Sequence, residues 1–140
     1  MRRIAWALSV VLAFGVALHA QQTTDIHQRT EAPANARFEI IQSELAAKWT
    51  FRLDRFTGQV AQLAETKDGA QTWEQMQVIG LPNTTAPATA RFQIFTSGIT
   101  TRHTFLIDTD TGKTWVTAST KGKNDDGTEY EIDFWQPFAE

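Results

Sequence analysis

Apolar and polar side chains alternate with a period of two along several short stretches of this chain, and no stretch after the first 20 residues carries a helical stripe of useful length. Residues 91–97 place Phe92 and Ile94 on one face, and residues 103–108 place Phe105 and Ile107 on one face. Alternation of this kind, rich in Phe, Ile, Val, Trp and Thr, marks half-buried strands. Folding the two strands back about residues 98–101 predicts Phe92 opposite Ile107 and Ile94 opposite Phe105, because residues directly across an antiparallel pair share a face. A one-residue slip would move half of that apolar set into water. The same fold-back earlier in the chain predicts Phe38 opposite Leu53 and Ile40 opposite Phe51. It also sets Arg37 opposite Asp54, Arg91 opposite Asp108 and Glu39 opposite Arg52, so that opposite charges face each other.

These two stretches are copies. Residues 30–58 align without a gap onto residues 84–112, 54 positions later, with 14 identities in 29 positions. Asp54-Arg55-Phe56-Thr57-Gly58 returns as Asp108-Thr109-Asp110-Thr111-Gly112. An Asp opening a turn can accept a backbone N–H two residues on, and the closing Gly takes the positive φ of a bulged hairpin. Arg37, Asp54 and Gly58, with Arg91, Asp108 and Gly112, are therefore expected to be structural turn and cross-strand residues. Third strands follow at 59–64 and 113–119. Loops holding Asp68-Gly69 and Asp125-Asp126-Gly127 lead to fourth strands at 73–79 and 130–138. The predicted fold is all-β: one domain, residues 36–138, of two tandem four-stranded antiparallel meanders. Repeat 1 spans 36–80 and repeat 2 spans 90–138, joined by the proline- and threonine-rich residues 81–89. A single four-stranded sheet needs a cover for its apolar face, and two copies can supply each other's as a sandwich, a barrel or two blades.

The segment ahead of the repeats has a different character. Arg2 and Arg3 precede a 15-residue apolar run, residues 4–18, and Leu18-His19-Ala20 offers a small residue before Gln21-Gln22. That is the pattern of a secretory signal peptide, 1–20, followed by a polar flexible leader, 21–35. Removing Arg2 and Arg3 from the 13 basic side chains leaves 11 against 16 acidic ones, a net charge of −5. Acidity without a Lys/Arg cluster disfavours nucleic acid and anionic membranes as partners. The chain has no cysteine, which suits a bacterial periplasmic or secreted protein whose core suffices without disulfides.

Catalytic material is thin. There is no thiol, and Ser43, Ser97 and Ser119 stand in no Gly-x-Ser-x-Gly elbow. His103 occupies the place of Trp49 in the other copy, which reads as an amphipathic ring at a strand end. Asp54 and Asp108 each face an arginine, and a paired, turn-capping Asp has a lowered pKa that makes a poor general acid. Asp108-x-Asp110-x-Gly112 resembles the start of a calcium loop, yet Phe56 replaces Asp110 in the other copy and no Glu follows at fixed spacing. No metal and no cofactor is expected. The tryptophans can plug a core or stack on a ligand. Copy two alone has Trp115, and it alone has a long polar loop, residues 121–129, before Tyr130. Trp115, Tyr130 and Trp135 are the expected contact patch.

The run Ile107-Asp108-Thr109-Asp110-Thr111-Gly112-Lys113-Thr114-Trp115 resembles the hairpin of small exported bacterial proteins of unknown function. These carry an Arg-aromatic-x-Ile strand, then Leu-Asp-x-x-Thr-Gly-x-x-Trp, then a Trp-containing closing strand. Copy one has Ala61 where the tryptophan belongs. The turn is also similar to blade hairpins of quinoprotein-type β-propellers, from which the chain departs in repeat number, repeat length and the spacing to Trp115. The resemblance implies a fold unit and export, with no activity attached. The leading expectation is an exported, non-catalytic binding or protein-interaction domain, partnered by another envelope protein or by its own copies. A carboxylate-based hydrolase acting on envelope glycans and a small-molecule carrier with an apolar cavity are the alternatives.

Overall fold

The computed structural model describes residues 31–83 and 88–139. The expected signal peptide, residues 21–30 of the leader and residues 84–87 of the connection lie outside the described residues. Those described form nine strands and no helix. β1 (Phe38–Gln42), β2 (Thr50–Asp54), β3 (Val60–Glu65) and β4 (Gln71–Gln75) make an antiparallel sheet in chain order. β6 (Phe92–Thr96), β7 (Thr104–Asp108), β8 (Thr114–Lys123) and β9 (Glu129–Pro137) make a second meander. The two-residue β5 (Gln77–Val78) leaves the first sheet and pairs parallel with β9, so the second sheet has five strands and is mixed. Trp115 Nε1–H donates to the Ile79 carbonyl at 2.8 Å and Lys113 Nζ donates to Gly80 at 3.0 Å, holding that crossing segment in place.

The register differs by one residue from the predicted one, in both hairpins. Phe38 lies opposite Asp54, Ile40 opposite Arg52 and Ile41 opposite Phe51; Phe92 lies opposite Asp108, Ile94 opposite Leu106 and Phe95 opposite Phe105. The connecting loop sets this. Ser43 Oγ accepts the Leu45 N–H and Thr50 Oγ1 donates to the Ala47 carbonyl, while Ser97 and Thr104 do the same with Ile99 and Thr101. These bonds close a loop with an odd number of residues, pairing Gln42 with Thr50 and Thr96 with Thr104. The prediction assumed that all apolar residues share a face, whereas the strands of the second hairpin are apolar on both faces. Arg37 and Arg91 still reach Asp54 and Asp108, diagonally, at 2.9 and 2.6 Å. Glu39 lies opposite Leu53 and pairs with Arg55 at 3.6 Å, not with Arg52.

The turns at Asp54–Gly58 and Asp108–Gly112 share one bonding scheme. In each the Gly N–H donates to the Asp carbonyl at 2.8 Å, the Asp N–H takes the carbonyl five residues on, and the Gly sits at φ +77. The expected polar loop at 121–129 is mostly strand: β8 and β9 run on as a ribbon, leaving a tight turn at residues 124–128 closed by Gly127 at φ +83.

One core cluster draws on both sheets. From the first come Phe51, Leu53 and Val60; from the second Phe92, Ile94, Leu106, Trp115 and Trp135, with Met76 between. Phe51 and Trp135 meet edge-to-face across it, centroids 5.5 Å apart. The parity of these positions is informative. Phe92, Ile94 and Leu106 stand 54 positions after Phe38, Ile40 and Arg52, all three of which are exposed. Phe51 and Leu53 stand 54 positions before Phe105 and Ile107, which lie on the outward face of the second sheet. The strand pairing extends the correspondence to the last strands, where Trp73 pairs with Leu63 as Trp135 pairs with Thr117. The apolar positions that one sheet contributes to the core cluster are thus outward positions of the other.

Candidate interaction surface

The outward face of β6–β9 is aromatic. Phe95 is 58% exposed, its ring 6.5 Å from Phe105, and Phe138 meets Phe105 edge-on at 5.6 Å. His103 stacks on Phe105 at 6.3 Å. Ile107, Val116 and Phe134 are half-buried on the same face, as the pairing of β7, β8 and β9 places them. Neighbouring aromatic rings left open to water on one face make this a candidate contact surface.

The outward face of β1–β4 is smaller and mixed. Phe38 and Ile40 are 55% and 62% exposed, and the Arg52 guanidinium lies 5.3 Å above the Trp73 ring. Beside them is a shallow depression of about 260 Å³ bordered by Phe38, Arg52, Ala61 and Gln75. Ala61 stands opposite Gln75 as Trp115 stands opposite Pro137. The depression is therefore where an indole would sit had the first copy a tryptophan at that position.

Each turn holds a carboxylate under an arginine. Asp108 is buried, bound by Arg91 Nε and Nη2 at 2.6 Å, by the Thr111 hydroxyl at 2.7 Å and by the Asp110 N–H at 3.1 Å. The Arg91 hydrogen bonds outweigh the opposing cost of burial, and with Thr111 they hold the carboxyl far below the usual carboxylate range. Burial pushes the Asp54 carboxyl up, but Arg37 and the Phe56 and Thr57 N–H groups together overcome it and hold it below its ordinary value. Both groups are ionised at any physiological pH, which suits a structural clamp and not a proton donor. Asp110, the other oxygen donor of the calcium-like run, sits 3.4 Å from Arg91 Nε. Among the described residues no group of three His, Cys, Asp or Glu side chains is placed to hold a metal ion.

The structure does not bring Trp115, Tyr130 and Trp135 together as a surface. Trp115 and Trp135 are fully buried because β8 and β9 turn those positions inward. Tyr130 is 44% exposed and folds over Gly122, where an added Cβ would lie 2.5 Å from the ring. Besides Tyr130, Phe38, Phe95 and Phe138 face solvent among the described residues, with Phe105 partly covered. A signal for them was present: residues 92–95 and 105–107 carry apolar side chains at both parities, more than one buried face can use. Compared with protein-family models, curated proteins and solved structures, the chain matches none.

Proposed function

We propose that this chain is an exported, non-catalytic interaction domain whose contact surface is the outward aromatic face of β6–β9. In this reading its two meanders are tandem repeats stacked front to back, related by a screw-like displacement. A two-fold would bury the same face of each copy. The observation that carries the functional reading is the cluster of Phe95, Phe105 and Phe138 on a sheet whose other face already forms the core. A folded domain gains nothing from leaving such rings in water, whereas an interface rich in Phe, Tyr and Trp gains most of its binding energy there. The clamped state of Asp54 and Asp108 also speaks for binding over hydrolysis, since a hydrolytic acid must hold a proton near neutral pH.

The test is site-specific photocrosslinking in the organism's own envelope. A benzoylphenylalanine at Phe95 is expected to give a macromolecular adduct, and one at Asp126, on the ribbon tip, is not. Absence of any adduct at Phe95 would overturn the reading.

A further inference from the structure

We propose that the partner of this aromatic face is a second copy of the same chain, docked head to tail so that β6–β9 of one molecule covers β1–β4 of the next. The inference rests on the reading of the outward faces as contact surfaces and adds who occupies them. Its argument is the parity of the core. Inside one molecule, the face carrying Ile41, Phe51 and Leu53 packs on the face carrying Phe92, Ile94 and Leu106. The two faces left outside are the duplicates of that pair, 54 positions later and earlier: Phe95, Phe105 and Ile107 on one sheet, Phe38, Ile40 and Arg52 on the other. A second copy repeats the internal contact without any new kind of surface.

Three details fit the same step. Gly58 is covered: a Cβ there would lie 2.8 Å from the Phe92 ring and from Leu81, whereas Gly112, in the same turn at the same φ, has nothing within 4 Å. Phe38 of the neighbouring molecule is the duplicate of Phe92 and would take that open place. Met76 is buried, and Phe138, which bonds the Thr114 carbonyl as Met76 bonds Val60, is half exposed. The larger ring at 138 and the smaller Ala61 in the place of Trp115 change volume in compensating directions across the proposed contact. Finally, Phe51 against Trp135 has its duplicate in Phe105 against Trp73. Arg52 is the departure: it stands where Leu106 does, and its guanidinium rests on the Trp73 plane. A cation held against an aromatic ring is tolerated in an interface but weakens it relative to leucine. Contacts of this heterologous type close into rings or continue as filaments, according to the rotation per step.

The full chain, expressed with its own leader and purified, is expected to sediment as multiples of the monomer mass that grow with concentration. Phe38→Glu and Phe95→Glu, each breaking one face, are expected to be monomeric alone and to form dimers when mixed, because each retains the face the other has lost. A self-complementary two-fold contact cannot show that rescue. Gly112→Asn, which meets open space and tolerates positive φ, is expected to weaken association while leaving the melting curve of the dilute protein within a few degrees of wild type. Arg52→Leu is expected to tighten association about tenfold or more. Near-ultraviolet dichroism of the buried Trp115 and Trp135 checks that each variant is folded. A wild type that stays monomeric at every concentration, or folded single variants that fail to dimerise on mixing, overturns the proposal. A monomeric wild type that still gives adducts at Phe95 with another macromolecule sinks this inference and leaves the interaction-domain reading standing; monomer and no adduct sinks both.

Discussion

The two halves of the molecule share a hydrogen-bond frame and differ in what covers it. Their hairpins have one register, their loops are closed by the same Ser and Thr, and their Asp-to-Gly turns make the same bonds. Yet Phe38 and Ile40 lie in the open while Phe92 and Ile94 lie in the core, and Phe51 is buried where Phe105 is half exposed. The backbone of a strand pair is therefore indifferent to which face is dry. Which face contributes to the shared core decides that, and the same residue type has a different energetic value in each half.

Substitution in matched pairs is the direct way to break this comparison. Trp135→Ala empties a fully buried site and is expected to cost about 3–5 kcal/mol, against under about 1.5 kcal/mol for Trp73→Ala, where the ring is only partly buried and rests against Arg52. Urea titrations followed by far-ultraviolet dichroism would measure both, and equal losses would mean that the halves are equally covered. Asp108→Asn is expected to cost about 2–4 kcal/mol, since it leaves a mostly buried Arg91 with only the exposed, more distant Asp110 carboxylate. Asp54→Asn should cost clearly less, because the Arg37 side chain is 54% exposed and can turn to water.

The clamps also give a pH signature. Both carboxyls have folded values below their unfolded value of about 4. Their stabilisation is complete above that value and is lost as the pH falls through it toward the lower folded values, with Asp108 the larger contributor. The urea midpoint is thus expected to drop between about pH 4 and pH 2, and Asp108→Asn to flatten that slope. The smallest contrast is between the glycines. Both Gly58→Ala and Gly112→Ala force a side chain into positive φ, worth about 1 kcal/mol. Gly58→Ala additionally overlaps Phe92 and Leu81, adding about 1–2 kcal/mol that Gly112→Ala escapes. Calorimetry on the two alanine variants would resolve a difference of that size.

What the sequence made legible was local. The Asp-x-x-Thr-Gly turns, the Arg–Asp contacts and the strands themselves follow from spacing and turn chemistry, because a few neighbouring residues determine them. The register differs by one residue from the one the apolar pattern predicts, because the Ser–Thr loop closure fixes it. The expected strand at 73–79 breaks at Met76, and its last residues, β5, take a partner from the far end of the chain that no local periodicity indicates. Trp115 and Trp135, expected at a surface, lie in the core because of the inward parity of β8 and β9. That parity depends on how two sheets meet, which no window of a few residues contains. The outward aromatic face was written in Phe95 and Phe105, but as an excess of apolar positions with no indication of which set would be left over.

The edge-to-face contact of Phe51 with Trp135 joins residues 84 positions apart, from 51 to 135. During synthesis, β1–β4 can zip up from neighbouring hairpins while the dry side of that sheet has nothing to lie on. Local pairing is quick and long-range closure slow, so the first half waits as a two-sided sheet until β9 arrives. During that interval its Phe51 side is a docking surface for any free β6–β9 face, including that of a neighbouring chain. Delayed closure makes exchange of halves between molecules the natural misfolding route of this fold, and fast completion of the last strand its safeguard.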